Sequence, residues 1–302
     1  MKYKIWLSAA LMLATPAVYA AGPGTTGASF LKVGVGAREL ALGSAASVLT
    51  EGAGAVNWNP GKLAEVKQKS LSASYNMLFI DEAQGALVYA TPLSGGGAVV
   101  GAGVNYLTVS DIEKRAGDTD NADSKFSNNN MAFTLSYAKA EVSPGLALGA
   151  NLKYISQKLD TAEDRAVALD LGSAYKLSDS WTAAFVVQNL GSSIGPDKLP
   201  LTLKTGAATS FADGKLAVGA DADWLANDER FYLALGAEYL LGQNFAFRAG
   251  YQFGRSADKL GSNLVGLGAG LGLKFDRFSL DYAYVPFGDL GDTHRMTLGF
   301  NF

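Results

Sequence analysis

The side chains that usually carry out catalysis are scarce in this chain. Its 302 residues include one histidine, His294, and no cysteine. A Ser-His-Asp triad, a Cys-His pair or a multi-histidine metal site would therefore have to form around His294 alone. Because His294 opens the last predicted strand, we expect it to be a surface residue. The chain is predicted not to be an enzyme, an outer-membrane lipase included.

Two patterns that suggest bound groups lack what those groups require. Glycine occupies alternate positions from Gly266 to Gly272, but a dinucleotide-binding loop needs a strand before it and a helix after it. We expect instead a glycine stripe on one strand, which lets another segment approach the strand closely. The acidic residues from Asp111 to Asp123 lack the glycine and closing glutamate of an EF-hand calcium loop. No cofactor and no metal ion is predicted.

The elements that position the remaining candidates are strands. From residue 69 to the carboxyl end, apolar and polar residues alternate in short segments separated by Gly, Asp, Asn, Ser and Pro. We predict an all-β, antiparallel barrel of about fourteen strands, an even number as in single-chain bacterial barrels. The predicted bounds are 69–79, 82–91, 97–107, 128–140, 145–157, 164–176, 180–190, 199–211, 214–224, 229–241, 244–254, 263–275, 277–286 and 293–302.

The composition of the two strand faces indicates which face points outward. After Asn244, one face carries Phe245, Phe247 and Phe253, and the other carries Arg248 and Gln252. A soluble sandwich would also alternate, with its apolar face inward. The polar face here is rich in Gly, Ala and Ser, and the charged fraction of 18% is below the usual quarter. These features favour a transmembrane barrel with a lipid-facing apolar surface and a polar lumen.

Charged residues of both signs fall on the predicted lumen face, where isolated charges are costly and need partners. We expect internal salt bridges among them. The candidates are Lys153, Asp170, Asp221, Glu238 and Arg248. Arg38, near the amino end, is the predicted anchor to the barrel wall, since a guanidinium can bond two carboxylates at once. Replacing Arg38 with alanine is predicted to loosen the amino-terminal part and raise permeability.

Connection lengths predict the orientation of the barrel. Connections after even-numbered strands are short, and those after odd-numbered strands tend to be longer, as at 108–127 and 158–163. Short periplasmic turns and long outer loops are typical of transmembrane barrels. The connections at 80–81 and 226–228 break this trend.

The two ends of the chain indicate export. Residues 1–20 combine a basic start, an apolar stretch and the ending Val18-Tyr19-Ala20, which predicts a Sec signal peptide; a membrane anchor is the alternative. The carboxyl end alternates up to Phe300 and Phe302, like the signal that the outer-membrane assembly machinery recognises. We therefore predict a place in the cell outer membrane, with its lipids and the barrel assembly machinery as partners. A net charge of −3 without a basic cluster predicts no nucleic-acid partner.

Residues 24–66 do not alternate. They are rich in Gly and Ala, with short helical turns expected around 37–49. Because the lumen of a barrel of this size is wider than side chains can fill, we predict that this part folds inside as a plug. A periplasmic tail is the alternative. The predicted domains are 1–20 signal peptide, 21–68 plug or hatch, and 69–302 barrel.

Within this part, three motifs carry a family resemblance. GASFLKVGVGAR at 27–38, ALGSA at 41–45 and NWNPGKLA at 57–64 resemble the amino-terminal signature of the PorV/PorQ family, in the superfamily of FadL-like outer-membrane barrels. That family usually has Asn-Pro-Ala and then Gly-Leu, whereas Gly61 and Lys62 follow Asn59 and Pro60 here. The resemblance implies a fourteen-stranded barrel with a hatch in its lumen, and it makes Asn57, Asn59 and Pro60 candidate hatch residues.

The resemblance implies one of two functions. One is passage of hydrophobic small molecules, as in FadL-like transporters, with binding in the lumen, a shift of the segment around Asn59 and Pro60, and exit through a gap in the wall. The other is type IX secretion, in which PorV-like members escort cargo to the cell surface. Because the loops are modest in length, we expect the first. A transporter should retain a lipid-like ligand on purification, whereas a secretion component should co-purify with secretion-system proteins or cargo.

Overall fold

The computed structural model describes residues 24–79, 82–255 and 260–302. The predicted signal peptide and the predicted connection at 80–81 lie outside the described residues. In the part of the chain described, no helix has the length and apolar character needed to cross a membrane.

Fourteen of the strands close into one antiparallel barrel, so the predicted all-β antiparallel barrel and its strand number are confirmed. The barrel strands are β1 (Ser70–Met77), β2 (Glu82–Pro92), β3 (Ala98–Lys114), β4 (Ser124–Ser143), β5 (Leu146–Leu159), β6 (Ala162–Lys176), β7 (Trp181–Gly191), β10 (Thr202–Phe211), β11 (Leu216–Leu225), β12 (Arg230–Leu241), β13 (Phe245–Phe253), β14 (Leu267–Phe275), β15 (Phe278–Pro286) and β16 (Asp292–Asn301). Between β7 and β10, β8 (Ser193–Ile194) and β9 (Asp197–Lys198) form a separate hairpin. Pairing of β1 with β16 closes the ring.

Three predicted connections differ from the structure. The loop expected at 108–127 is wrong, because β3 and β4 stay paired past a bulge between Val109 and Ile112. The connection expected at 158–163 is only two residues, since Leu159 of β5 pairs with Ala162 of β6. The strand expected from residue 263 begins at Leu267. The β8–β9 hairpin was not predicted, because strands of two residues are too short to show a period.

The alternation of the strands places apolar side chains outside the barrel. In β13, Phe245, Phe247 and Phe253 are exposed, while Arg248 and Gln252 are buried. The predicted assignment of the two faces is therefore confirmed for this strand. Large exposed apolar surfaces are rare on soluble monomers and usually mark contact with a membrane or another protein.

The amino-terminal segment, residues 24–66, is built from short helices. They are 3-10 turns at Ser29–Lys32, Gly52–Gly54 and Pro60–Glu65, with α1 (Ala37–Ala41) and α2 (Ala55–Trp58). The short helical turns expected around 37–49 are present, and α1 ends before Gly43 and Ser44, which have positive φ angles of 64° and 70°. A further 3-10 turn, Gly288–Leu290, lies between β15 and β16.

This segment packs against inward-facing side chains along the barrel. We call the end that carries the β8–β9 hairpin the loop end, and the opposite end the turn end. At the loop end the Gly27 N–H donates to the Lys198 carbonyl at 3.0 Å. Towards the turn end, Val56 and Leu63 join an apolar cluster with Val99 of β3. The chain of the segment therefore runs from the loop end towards the start of β1.

Glycines of the barrel wall allow backbone to meet backbone. A Cβ at Gly268 would lie 2.1 Å from the Leu40 carbonyl oxygen, and one at Gly270 would lie 2.5 Å from the Ala41 side chain. Both distances are too short for any larger residue. The predicted glycine stripe on β14 and its close approach to another segment are thus confirmed at these two positions.

Candidate functional site

A cavity of about 610 Å³ lies between the amino-terminal segment and the wall. Asp228, Arg230 and Phe287, which belong to loop-end connections or strand ends, place it in the loop-end half of the barrel. Its lining is mixed, with apolar and aromatic side chains beside charged ones. The apolar lining includes Leu31, Val33, Leu40, Trp58, Leu78, Phe79, Leu225, Val285 and Phe287, and the polar lining includes Lys32, Glu82, Lys153, Gln188, Asn189, Lys204, Asp223, Asp228, Arg230, Arg255 and Arg295. A lining of this kind is typical of small-molecule sites.

An ionic network joins the segment to the wall at Arg38. Its Nε and Nη2 donate to the two carboxylate oxygens of Glu238 on β12, at 3.0 and 2.8 Å. Arg38 also donates to the Leu49 carbonyl and to Glu51. Glu238 accepts a second bond from Arg248 on β13, which in turn bonds Asp281 on β15 at 2.6 Å. The network thus spans the segment and three strands.

Burial and neighbouring charges shift the pKa of Arg38 and of Glu39, the next residue along the chain. Burial acts to lower the pKa of Arg38, but the carboxylates of Glu51 and Glu238 outweigh it and raise that pKa. Burial raises the pKa of the Glu39 carboxyl above its ordinary value, against the opposing effects of Arg38 and of a hydrogen bond from Thr50. Arg38 therefore stays charged, whereas Glu39 takes up a proton more readily than an exposed glutamate.

A second polar cluster surrounds Asp170, which is fully buried on β6. Lys153 of β5 pairs with it at 2.7 Å, and the Asn189 backbone N–H donates to it at 2.8 Å. The pairing of β6 with β7 shifts register between Leu169 and Leu171, so this carboxylate bonds a backbone donor at the irregularity. Asn151 links the cluster to the segment by donating to both Asp170 and the Val56 carbonyl.

A third cluster holds the segment at Ser47. Asp221 of β11 accepts from the Ser47 N–H at 2.7 Å and from its hydroxyl at 2.6 Å. On the same side of the barrel, Lys204 pairs with Asp223 at 3.0 Å and lies 5.0 Å from the centre of the Trp58 ring. The five lumen charges named from the sequence therefore lie in three separate clusters and do not form one site.

The three candidate hatch residues lie together at the turn between α2 and the next 3-10 helix. The Asn59 side chain donates to the Ser47 and Ser173 carbonyls at 2.7 and 3.0 Å and accepts from the Gly61 N–H at 2.9 Å, which caps that helix. Pro60 takes the first helical position. Asn57 is half-buried beside the cavity, and its carbonyl accepts from Gln188 at 3.0 Å.

The same turn leaves no room for a side chain at position 61. A Cβ at Gly61 would lie 2.8 Å from the Gly172 carbonyl oxygen on β6. Gly172 is equally confined, because a Cβ there would lie 2.2 Å from the Asn59 amide oxygen. Glycine at position 61 therefore lets the segment contact the β6 backbone, where an alanine would need the wall to move.

The two aromatic residues named as the assembly signal lie at the turn end. The rings of Phe300 and Phe302 stack at 5.1 Å, and Phe300 also packs on Phe278 at 4.7 Å. The Phe302 N–H donates to the Lys69 carbonyl at 2.9 Å. These contacts secure the end of β16 against both neighbouring strands.

Sequence reasoning missed three arginines of the cavity, Arg230, Arg255 and Arg295. Arg295 is 2% exposed and shares the inward face of β16 with Thr293 and Thr297, so the alternation of that strand contains a signal for it. Arg255 follows the end of β13, where no periodic pattern indicates its direction.

A hydrolase pattern was also missed. Residues 191–195 read Gly-Ser-Ser-Ile-Gly, the spacing of a nucleophile elbow, which requires a turn between a strand and a helix. Ser193 instead lies in the exposed β8–β9 hairpin. His294 is exposed on β16, and its Nδ1 bonds the Tyr282 hydroxyl at 2.7 Å. No three His, Cys, Asp or Glu side chains of the described ranges gather so that they could hold a metal ion.

No family model and no curated protein matches the sequence. Several solved structures, however, are similar to this one in fold. The Ralstonia pickettii toluene transporter TbuX has a TM-score of 0.62 at 13% identity, covering 89% of this chain and 98% of that one. A Pseudomonas aeruginosa FadL homologue gives 0.60 at 12% identity over 88% and 98%, and a deletion mutant of the TodX monoaromatic hydrocarbon channel gives 0.57 at 12% over 89% and 99%. At these identities the likeness shows a shared fold, and membership of the PorV/PorQ family stays a prediction.

Proposed function

We propose that this chain is a non-catalytic conduit for apolar small molecules in the outer membrane, with the amino-terminal segment as its plug. The observation that carries the proposal is the cavity of about 610 Å³ between that segment and the wall. Pockets of this size hold a small organic molecule. The apolar exterior and the fold shared with a toluene transporter and a hydrocarbon channel support it.

In this proposal the plug separates the cavity from the turn end. Below the cavity, the segment meets the wall through the Arg38–Glu238 pair, the Ser47–Asp221 bonds and the Asn59 side chain. A ligand enters from the loop end and occupies the cavity. Passage then requires a shift of the segment around Asn59 and Pro60, which breaks the Asn59 bonds to Ser47 and Ser173 first.

The route out of the cavity has two candidates, the space vacated by the plug and the wall itself. All neighbouring barrel strands are hydrogen-bonded, so passage through the wall needs local opening. The irregularity between β6 and β7 is the candidate for that opening, because Asn189 borders the cavity and bonds Asp170 there.

The test is uptake of radiolabelled naphthalene by bacteria whose outer membrane is intact. Cells that make the protein should accumulate the label faster than cells that lack it. Asn105→Trp fills the cavity from β3 and should abolish the gain, whereas Tyr106→Trp, on the outward face of the same strand, should keep it. Equal uptake with and without the protein would contradict the proposal. Co-purification with a large secretion complex would favour the type IX role instead.

A further inference from the structure

Three arginines of the cavity, Arg230, Arg255 and Arg295, have no acidic partner among the described residues. Arg295 is 2% exposed, and Arg255 is half-buried after the end of β13. The lysines of the cavity differ, because each pairs with a buried carboxylate. These pairs are Lys32 with Asp228 at 3.1 Å, Lys153 with Asp170 at 2.7 Å and Lys204 with Asp223 at 3.0 Å. An unpaired buried charge is costly, so Arg295, which has no acidic partner within the described ranges, needs a physical reason.

The guanidiniums of Arg255 and Arg295 use only some of their hydrogen-bond donors within the described ranges. Arg295 donates from Nη1 to the Gly34 carbonyl at 3.2 Å and from Nε to the Thr293 hydroxyl at 3.4 Å. Arg255 donates from Nε to the Gln252 amide oxygen at 2.7 Å. A guanidinium has five N–H groups, so within the described ranges Nη2 of Arg295 and both Nη atoms of Arg255 have no acceptor. Both arginines line the same cavity, and the charge of Arg255 acts on Arg295.

The cavity lining as a whole carries an excess of positive charge. Once the three lysine pairs are set aside, Arg230, Arg255 and Arg295 remain against one carboxylate, Glu82. Two like charges in one cavity repel each other, and an anion between them removes the repulsion and fills their free donors.

Aromatic rings lie beside the unpaired charges. Arg255 lies 5.3 Å from the centre of the Phe287 ring, and Phe79 meets Phe287 edge to face, also at 5.3 Å. Trp58 and Tyr232 complete the aromatic part of the lining. Aromatic side chains of this kind favour offset or edge-to-face contact with a ligand ring.

We propose that Arg255 and Arg295 bind the carboxylate of an aromatic acid whose ring lies on the aromatic side chains of the cavity. This inference deepens the proposed function, on which it rests, by naming a substrate class that differs from neutral hydrocarbons. The planar fork of a guanidinium matches a carboxylate in geometry, and such bonds are among the strongest hydrogen bonds in proteins. A neutral ring would leave both guanidiniums without an acidic partner among the residues that the structure describes.

The test is calorimetric binding of 2-naphthoate and of its neutral counterpart 2-methylnaphthalene to the purified, detergent-solubilised barrel. We expect 2-naphthoate to bind at least about tenfold more tightly, because hydrogen bonds to charged groups contribute that much or more. Arg255→Met and Arg295→Met should each weaken 2-naphthoate by about tenfold to a hundredfold and leave 2-methylnaphthalene unchanged. Arg277→Met, on an exposed turn, is the matched control and should change neither.

Equal affinity for the two ligands, or unchanged 2-naphthoate binding in Arg255→Met, would overturn the inference. If Arg295→Met does not fold, as judged by its gel migration before and after heating, Arg255→Met decides alone. A different result would overturn the proposed function. Arginine-dependent binding without naphthalene uptake by cells would overturn the conduit and keep the acid site, whereas uptake without arginine-dependent binding would do the reverse.

Discussion

Replacing Arg38 with alanine should release the proposed plug, because Arg38 joins the segment to the wall through a buried ion pair with two hydrogen bonds to Glu238. The change removes two hydrogen bonds to Glu238, one to the Leu49 carbonyl and one to Glu51. Glu51 is largely exposed, so its pair adds little. The bonds to Glu238 are buried and dominate the effect.

The free-energy cost of Arg38→Ala depends on the bonds that Glu238 retains in the variant. Removing one partner of a buried ion pair costs about 3–5 kcal/mol, mostly because the other charge is left alone. Glu238 retains its bond to Arg248, so the low end applies, about 3 kcal/mol. At about 1.4 kcal/mol per factor of ten, the ratio of released to docked plug should rise roughly a hundredfold.

Single-channel conductance in planar bilayers measures this ratio directly, as the fraction of time spent open. Arg38→Ala should open far more often than the unaltered protein, and Arg277→Ala, which removes an exposed arginine on the turn between β14 and β15, should not. Both variants must first show the gel shift of a folded barrel. Folded Arg38→Ala with unchanged conductance would refute the assignment of Arg38 as the anchor.

Three further changes test separate contacts. Gly172→Ala should destabilise the docked plug by about 1–3 kcal/mol, since its Cβ would meet Asn59 at 2.2 Å, whereas Gly96→Ala has open space around it; the temperature of unfolding on gels measures both. Burial raises the pKa of Glu39, so the contribution of protonated Glu39 to docking is greatest below the ordinary value of 4.5 and is lost as pH rises through the raised pKa. Glu39→Gln should remove this contribution from the pH dependence of conductance. Phe302→Ala should reduce the amount of barrel in the outer membrane, and Phe275→Ala, an exposed ring at the same end, should not.

Each of these has a result that would count against it. Equal unfolding temperatures for Gly172→Ala and Gly96→Ala would show that the wall yields to the extra methyl group. A pH dependence that survives in Glu39→Gln would assign it to other carboxyls. Equal losses of membrane-inserted protein in the two phenylalanine variants would mean that Phe302 acts as any apolar residue at the turn end.

Alternation made the barrel predictable, and its absence made the rest hard to predict. In β13 each side chain lies either outside or inside the barrel, so two-residue periodicity identifies strand and face together. Strand ends were less certain at β3 and β4, where pairing continues into a polar stretch that reads as a loop. Pairing geometry, rather than composition, decides such ends.

Residues of the site could be predicted only where the chemistry of a single side chain indicates its partners. Arg38 was named because a guanidinium can bond two carboxylates at once, and the structure pairs it with Glu238 of the wall and Glu51 of the segment. The sequence could not show which lumen charges meet, because strands far apart in the chain bring them together, as β5 and β6 do for Lys153 and Asp170. Arg255 was missed because it follows the end of β13, where no periodic pattern indicates its direction, and Arg295 was missed although the alternation of β16 places it on the inward face.

The measurement that tests the account most directly is membrane fractionation followed by gel migration of boiled and unboiled samples. A transmembrane barrel resists detergent until it is heated, because its strands hydrogen-bond to their neighbours all the way around the closed sheet. We expect the protein in the outer-membrane fraction, with a mobility that changes on boiling. A soluble periplasmic protein with no change in mobility would contradict the outward assignment of the apolar faces and with it the conduit.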